Sequence, residues 1–291
     1  MSSRRMQVLM LVAVIIAHGL GGAAVGQEAR LNRVFTITGF AAPECVVIDP
    51  DTGLAYVSNM NTGPEGYWQD TGEGFISRLT PDGTIDELKW VESTEEFVIN
   101  QPKGMDIRDG LLYVADNARV LTFSLADGTP GRVYEPDGAQ NLNDMAADAD
   151  GVYVSDTATG NIFRLDLDGD AHTVVANIES VNGVTLHDGT LFAVSWDLGD
   201  VYEVDRTGAE DPKPFGLSEH FTHLDGIHVV MDRWFSVTDF TGGQVALIAA
   251  DRETVITLYE LETPAAHGVD HERRRLWIPQ LEHDTVVVLS E

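Results

Sequence analysis

From about residue 30 the chain is written in short runs of alternating apolar and polar residues, broken by turns rich in Gly, Asp and Asn. Alternation with a period of two predicts half-buried β-strands, and no stretch of comparable length carries a helical period. The runs recur. Six segments open on a polar residue, usually followed by Gly, pass into one strand, turn, and return in a second strand ending near Asp or Asn. They run from Glu44-Cys45 to Tyr56-Val57-Ser58-Asn59, from Lys103-Gly104 to Tyr113-Val114-Ala115-Asp116, and from Asn143-Asp144 to Tyr153-Val154-Ser155-Asp156. The later three run from Asn182-Gly183 to Phe192-Ala193-Val194-Ser195, from Asp225-Gly226 to Ser236-Val237-Thr238-Asp239, and from His267-Gly268 to Leu276-Trp277-Ile278-Pro279.

All but the first of the intervals between these openings lie near about 40 residues, the length of a four-stranded propeller blade. Third strands follow at Phe75–Leu79, Val120–Phe123, Ile162–Leu165 and Val201–Val204. Asp82-Gly83, Asp127-Gly128, Asp168-Gly169 and Thr207-Gly208 then supply tight turns, because Gly accepts positive φ. The prediction is an all-β, six-bladed β-propeller over residues 27–291 as one domain. The last unit ends after a third strand, Thr285 to Leu289, and Arg33–Ile37 has strand alternation with nothing local to pair with. That N-terminal strand is expected to complete the last blade and remove an exposed sheet edge. The long first interval holds an insertion, Asn59 to Gly74, either a lid over one face or a surface loop; Tyr67-Trp68 argue against full solvation.

Residues 1–26 differ in kind. Arg4 and Arg5 precede an almost wholly apolar run from Met6 to Ala17, and small residues from Gly21 to Gly26 form a cleavage signal. This reads as a signal peptide, with a twin-arginine route permitted by Ser3-Arg4-Arg5, and predicts an exported protein, periplasmic or secreted. An uncleaved segment is the one route to a membrane. The full chain carries a formal charge of −29, and loss of residues 1–26 removes two arginines and no acid. Such a surface repels phosphate backbones and excludes nucleic acid as a partner. The acidity itself reads as solubility before it reads as a site. The single Cys45 cannot form an internal disulfide.

In a propeller the innermost strands line a central channel, so equal repeat phase becomes spatial clustering. The six openings, Glu44, Lys103, Asn143, Asn182, Asp225 and His267, should therefore form one polar ring at a channel mouth. Two carboxylates and two amide oxygens suit a hard cation such as Ca²⁺ better than zinc, which gathers nitrogen and sulfur ligands. The alternatives are plain solvation of a wet mouth, or Lys103 pairing with Glu44 or Asp225 in place of a metal. The alternating Asp166, Asp168 and Asp170 suggest a calcium loop, but Asn177 stands where a bidentate Glu would complete it, so a hairpin turn explains them better. Of His220, His223 and His228, only His223 lies close enough in sequence to Asp225 to be expected near the channel. No nucleophile elbow and no glycine-rich phosphate loop occurs.

Glu44 in blade one, Asn143-Asp144, Val181-Asn182-Gly183 and Leu224-Asp225-Gly226 together resemble, over essentially the whole mature chain, the senescence-marker-protein/gluconolactonase/luciferin-regenerating-enzyme-like family of six-bladed propellers. The resemblance implies a divalent ion, often calcium, held at Glu44, Asn182 and Asp225, with Asn143 contacting substrate or a metal-bound water. It implies a lactonase or related esterase acting on a small molecule. Glu44-Cys45-Val46 stands where the family tends to have Glu-Gly-Pro, and Lys103 has no family counterpart. The expected chemistry is metal-assisted hydrolysis of a cyclic ester, with Asp225 holding metal and accepting a proton, Asn143 orienting substrate, and Lys103 or His267 moving protons. The rival expectation is a non-catalytic propeller that binds a ligand or protein around a structural ion or salt bridge. A lyase or synthase of a related propeller branch is supported by architecture alone.

Overall fold

The computed structural model describes residues 30–169, 172–231 and 233–291. The expected signal segment 1–26 lies outside the described residues, as does Asp170. Among the described residues no helix is long and apolar enough to cross a membrane.

Six antiparallel sheets follow one another along the chain, one per predicted blade. Blade one runs outward from the channel through Pro43–Ile48, Ala55–Asn59, Phe75–Leu79 and Ile85–Glu92. Blade two holds Pro102–Arg108, Leu111–Asp116 and Arg119–Ser124; its outer strand is replaced by isolated bridges, Phe123 with Pro130 and Val120 with Tyr134. Blade three comprises Leu142–Asp148, Gly151–Asp156, Asn161–Arg164 and Thr173–Asn177. Blade four comprises Val181–His187, Thr190–Ser195, Val201–Val204 and the two-residue Lys213–Pro214. Blade five comprises Leu224–Val230, Trp234–Asp239, Gln244–Ile248 and Val255–Glu260. Blade six is built from Gly268–Asp270, Arg275–Gln280 and Thr285–Ser290, closed on its outer edge by Asn32–Thr38. The N-terminal strand pairs antiparallel from Asn32 with Ser290 to Thr38 with Thr285. Closure by the two chain ends is thus as the unpaired alternation predicts.

Burial follows radius. Second strands lie between neighbouring blades and are buried on both faces, Ala55–Asn59 and Gly151–Asp156 along their whole lengths. Outer strands such as Ile85–Glu92 bury only a few positions. Apolar clusters form between blades: Val194 and Val201 of blade four pack with Phe235, Val237 and Ala246 of blade five. At the closure Trp277, fully buried, takes the edge of Phe35 at 5.8 Å beside Val57 and Leu79 of blade one.

The Asp or Asn that ends the second strand in blades one, two, three and five has a local purpose. Asp116 accepts the backbone N–H groups of Asn100 (2.9 Å) and Gln101 (2.6 Å), Asp156 those of Gln140 (2.7 Å) and Asn141 (3.2 Å), and Asp239 those of Thr222 and His223 (both 2.9 Å). Asn59 Oδ1 does the same for Ala41 (3.1 Å). These segments lead into the innermost strand, where no ladder partner is available, and buried donors must be satisfied somewhere. Each side chain therefore fixes the approach of the residue that follows at the channel.

Candidate functional site

The innermost strands do not pair regularly with their neighbours. In blades one to five two residues oppose one, a β-bulge: Glu44 and Cys45 face Ser58, Lys103 and Gly104 face Ala115, Asn143 and Asp144 face Ser155, Asn182 and Gly183 face Val194, Asp225 and Gly226 face Thr238. Bulges re-aim side chains and free backbone donors from the ladder. Where a hydroxyl stands opposite, it accepts the freed N–H: Ser58 from Cys45 (2.9 Å), Ser155 from Asp144 (2.9 Å) and Thr238 from Gly226 (2.8 Å). The repeated polar–Gly opening is therefore the sequence mark of a bulge at the channel.

Glycine at the second bulge position has a steric cause. A Cβ on Gly104 would lie 2.4 Å from Asp144 Cα, one on Gly183 2.2 Å from the Asp225 carbonyl oxygen, and one on Gly226 2.9 Å from Ala266 Cα. One on Gly268 would lie 2.5 Å from the Val46 carbonyl oxygen. Neighbouring innermost strands meet backbone to backbone, and the bridge between Cys45 and Ala266 joins blade one to blade six in the same way. The predicted ring residues are carried on adjoining strands at one end of the channel.

All six are buried. Glu44 Oε2, Asn143 Oδ1, Asn182 Oδ1 and Asp225 Oδ1 are buried side-chain oxygens with no hydrogen-bond partner among the described residues. The orientation of Asn143 is determined: its Nδ2 donates to Thr157 Oγ1 (3.1 Å), which itself donates to the Val181 carbonyl (2.8 Å), so Oδ1 is the atom left over. Burial holds the Glu44 carboxyl well above its ordinary range, the charges of Asp225 and Asp144 raise it further, and Lys103 lowers it. Burial and then Asp144 push Asp225 up to about 8. Unpaired buried oxygens of this kind are costly, and carboxylates so placed call for a positive charge. Among the described residues no three His, Cys, Asp or Glu side chains gather as a metal cluster, so a cation here would depend on the two amide oxygens as well. Four oxygens of mixed carboxylate and amide type fit a hard cation.

Lys103 does not supply that charge by contact. Its Nζ donates to the carbonyls of Tyr67 (2.7 Å) and Gln101 (3.2 Å), lies 3.9 Å from the centre of the Trp68 ring, and forms no ion pair with Glu44 or Asp225. Burial lowers it to about 8 against the pull of Glu44 and Asp116. The 59–74 insertion is accordingly fixed over the mouth at blade two. Asp70 accepts from Asn100 (2.9 Å) and Asn117 (2.8 Å), Gly72 donates to Asn100 Oδ1 (3.1 Å), and Gln101 Nε2 donates to Thr71 Oγ1 (2.6 Å).

His267 is fully buried, with Nε2 on Ser236 Oγ (2.7 Å) and Nδ1 without a partner among the described residues. Burial, with His228 beside it, drives its pKa well below the ordinary value, so the imidazole is neutral. The His228 ring stands 5.0 Å from that of His267, and burial takes its pKa down to about 4. His228 thus joins the channel lining, which proximity in sequence alone had reserved for His223. Asp144 and Asp106 also lie inward. Asp144 accepts the N–H of Val184 in the next blade (2.9 Å), Asp106 that of Ala147 (2.6 Å), and burial raises each to about 7. Their only signal in the sequence is an Asp at or just past the bulge of an innermost strand. Two open surface clefts, one beside Arg273 and one beside Arg206, lie at the opposite end of the blades, and their arginines are already paired with Asp270 and Asp148.

Neither a protein-family model nor a curated protein sequence matches the chain. Solved structures do. Virginiamycin B lyase from Staphylococcus aureus aligns over 90% of this chain and 99% of its own at 13% identity, with a TM-score of 0.62. A structural genomics protein of unknown function from Bacteroides thetaiotaomicron aligns over 90% and 72% at 14% identity and a TM-score of 0.66. A chain of a nidogen/laminin complex aligns over 75% and 86% at 15% identity and 0.64. The chain has the six-bladed β-propeller fold. At these identities the likeness carries the fold and no residue roles.

Proposed function

We propose that the ring binds a divalent cation, Ca²⁺ by the hardness of its donors, through Glu44, Asn182 and Asp225, and that the protein hydrolyses a lactone or related cyclic ester. The observation that supports this reading is the set of four buried, unpartnered oxygens on Glu44, Asn143, Asn182 and Asp225. The residue pattern shared with gluconolactonase-like propellers gives the reaction class.

A cation bound there would supply Lewis-acid polarisation of the ester carbonyl and stabilisation of the developing oxyanion. The residues of the chain do the rest. Asn143, its amide set by Thr157, orients the substrate. Asp225 accepts a proton from the attacking water. Water oxygen bonds to the carbonyl carbon, the ring C–O bond breaks, and the leaving alkoxide takes a proton, giving a hydroxy acid. That proton is the one Asp225 took from water, and we assign its passage to the alkoxide to neutral His267, whose Nδ1 is unpartnered, over Lys103, whose ammonium is held by two carbonyls. Lys103 instead anchors the insertion and lowers the energy of the Glu44 carboxylate through space.

The test is a panel of lactones assayed with calcium, after chelation, and with Asp225→Ala. Turnover that disappears on chelation and in the variant is expected; turnover indifferent to both removes the proposal. A non-catalytic binding propeller is the second reading, favoured by the rigidly held insertion and exposed Trp68 on the same face. It predicts cation binding with no turnover of any ester.

A further inference from the structure

The two ends of the channel differ in charge. The connections at the mouth end, which leave each second strand or lead into each innermost one, contain no Lys or Arg, whereas the longer of them, residues 60–74, 93–101, 135–141, 196–200, 215–223 and 261–267, each hold Asp or Glu. Cations on the strands beside them are already engaged. Lys103 is buried against Tyr67 and Trp68, Arg119 grips Asp116 (2.8 Å) and the Val98 carbonyl (2.8 Å), and Lys89 pairs with Glu92 (2.9 Å). The opposite end mixes signs: Arg206 meets Asp148 (2.9 Å), Arg252 meets Glu203 (2.6 Å) and Arg273 meets Asp270 (3.4 Å). Acidity that serves solubility intersperses both signs, as that end does. An end cleared of cations instead concentrates cationic solutes at the channel mouth. A dication in the cage would offset Glu44 and Asp225 and leave the acids of these connections uncompensated.

The insertion over blade two holds matching acceptors. Asp70, exposed, accepts Asn100 Nδ2 (2.9 Å) and Asn117 Nδ2 (2.8 Å) at one oxygen, Oδ1; its Oδ2 has no partner, and no Lys or Arg pairs with it, among the described residues. Two buried amide oxygens nearby are also without partners among the described residues: Gln101 Oε1, on a residue 0% exposed, and Asn117 Oδ1, on one 7% exposed. Their orientations are set. Asn117 Nδ2 is claimed by the Asp70 carboxylate, which only accepts. Gln101 Nε2 donates to Thr71 Oγ1 (2.6 Å), whose own proton goes to the Asn100 carbonyl (3.3 Å). Both side chains thus end on adjacent residues of the insertion, Asp70 and Thr71, each with an acceptor left over. Buried acceptors without donors are costly, and neither oxygen belongs to the cage. A ligand answers them only by donating. A hydroxyl does so, but beside a carboxylate, at an end without free cations, an ammonium does so with charge assistance and brings three N–H groups.

We infer that the ligand of this mouth is cationic, an ester carrying an ammonium group, and that Asp70, Gln101 and Asn117 receive that group. Its reaction rests on the proposed hydrolysis; its recognition does not. The probes are δ-lactams, which are not hydrolysed, bearing an aminomethyl, a hydroxymethyl or a carboxymethyl group and titrated calorimetrically into calcium-loaded protein, with kcat/KM for the matching δ-lactones alongside. The aminomethyl lactam should bind at least about tenfold more tightly than the hydroxymethyl one, the carboxymethyl lactam most weakly, and kcat/KM should rank the lactones in the same order. Raising ionic strength from about 0.02 M to about 0.3 M should weaken aminomethyl binding about fivefold and leave hydroxymethyl binding unchanged. Asp70→Asn, which keeps an acceptor for Asn100 and Asn117, should remove most of the ammonium preference. Equal binding of the aminomethyl and hydroxymethyl lactams, or an ammonium preference unaffected by Asp70→Asn in folded protein, overturns the inference. An ammonium preference that depends on Asp70, without turnover of any lactone, upholds the inference and refutes the hydrolase reading.

Discussion

Gly183→Ala isolates the contact on which the ring's geometry depends. The added Cβ would stand 2.2 Å from the Asp225 carbonyl oxygen and 3.1 Å from Gly226 Cα and Ile227 N, all backbone. No flexible side chain can move aside, so the innermost strands of blades four and five must separate by about 1 Å to restore ordinary contact. Overpacking of this sort costs about 1–3 kcal/mol, and a backbone neighbour places the cost at the upper end. Gly189 is the control. It sits in the adjoining hairpin of the same blade at φ +78° with nothing within 4 Å of an added Cβ, so Gly189→Ala carries only the conformational penalty of about 1 kcal/mol. Urea unfolding followed by circular dichroism should therefore rank Gly183→Ala well below Gly189→Ala, with Tm lowered by several degrees. Because Asn182 and Asp225 flank the clash, calcium affinity should fall in Gly183→Ala and not in Gly189→Ala. Equal stability of the two variants would refute the backbone-to-backbone packing from which the ring is built.

Two other predictions concern stability. Asp106 is half-buried, its carboxyl accepts N–H bonds from Ile107 (2.7 Å) and Ala147 (2.6 Å), and desolvation of that carboxyl raises its pKa to about 7. A raised carboxyl binds its proton more tightly folded than unfolded, so its contribution is complete below the unfolded pKa and is lost as pH rises through about 7. Between pH 5 and pH 8 the unfolding free energy of the wild type should thus fall by about 2–3 kcal/mol relative to Asp106→Asn, read from urea curves at both pH values; parallel pH profiles would contradict this. Removing residues 30–38 takes away Phe35 and Ile37 and the pairing along Thr285–Ser290, and should cost at least about 4 kcal/mol; a full cooperative melt at the parent Tm would contradict closure by that strand.

The blades, their order and the strand borrowed from the N-terminus were legible because a propeller turns sequence phase into position around an axis. Glu44, Lys103, Asn143, Asn182, Asp225 and His267 could be placed together on phase alone. What lay beyond reach depended on partners distant in the chain. Nothing near Lys103 reveals that its ammonium is taken by the carbonyl of Tyr67, thirty-six residues earlier. Asp144 stands where blades two, four, five and six have Gly, and its role appears only when Val184 of the next blade is seen donating to it. His223 is nearer to Asp225 in sequence, yet it is His228 that the strand carries inward to His267. Blade two satisfies its outer edge with bridges at Pro130 and Tyr134, a substitution that its strand pattern does not announce.

Calorimetric titration of chelator-stripped protein with calcium tests the cage most directly. One site per chain is predicted, weakened at least about tenfold by Asp225→Asn and by Glu44→Gln in protein that remains folded. No calcium uptake, or uptake untouched by either substitution, would contradict the assignment of these oxygens to a cation.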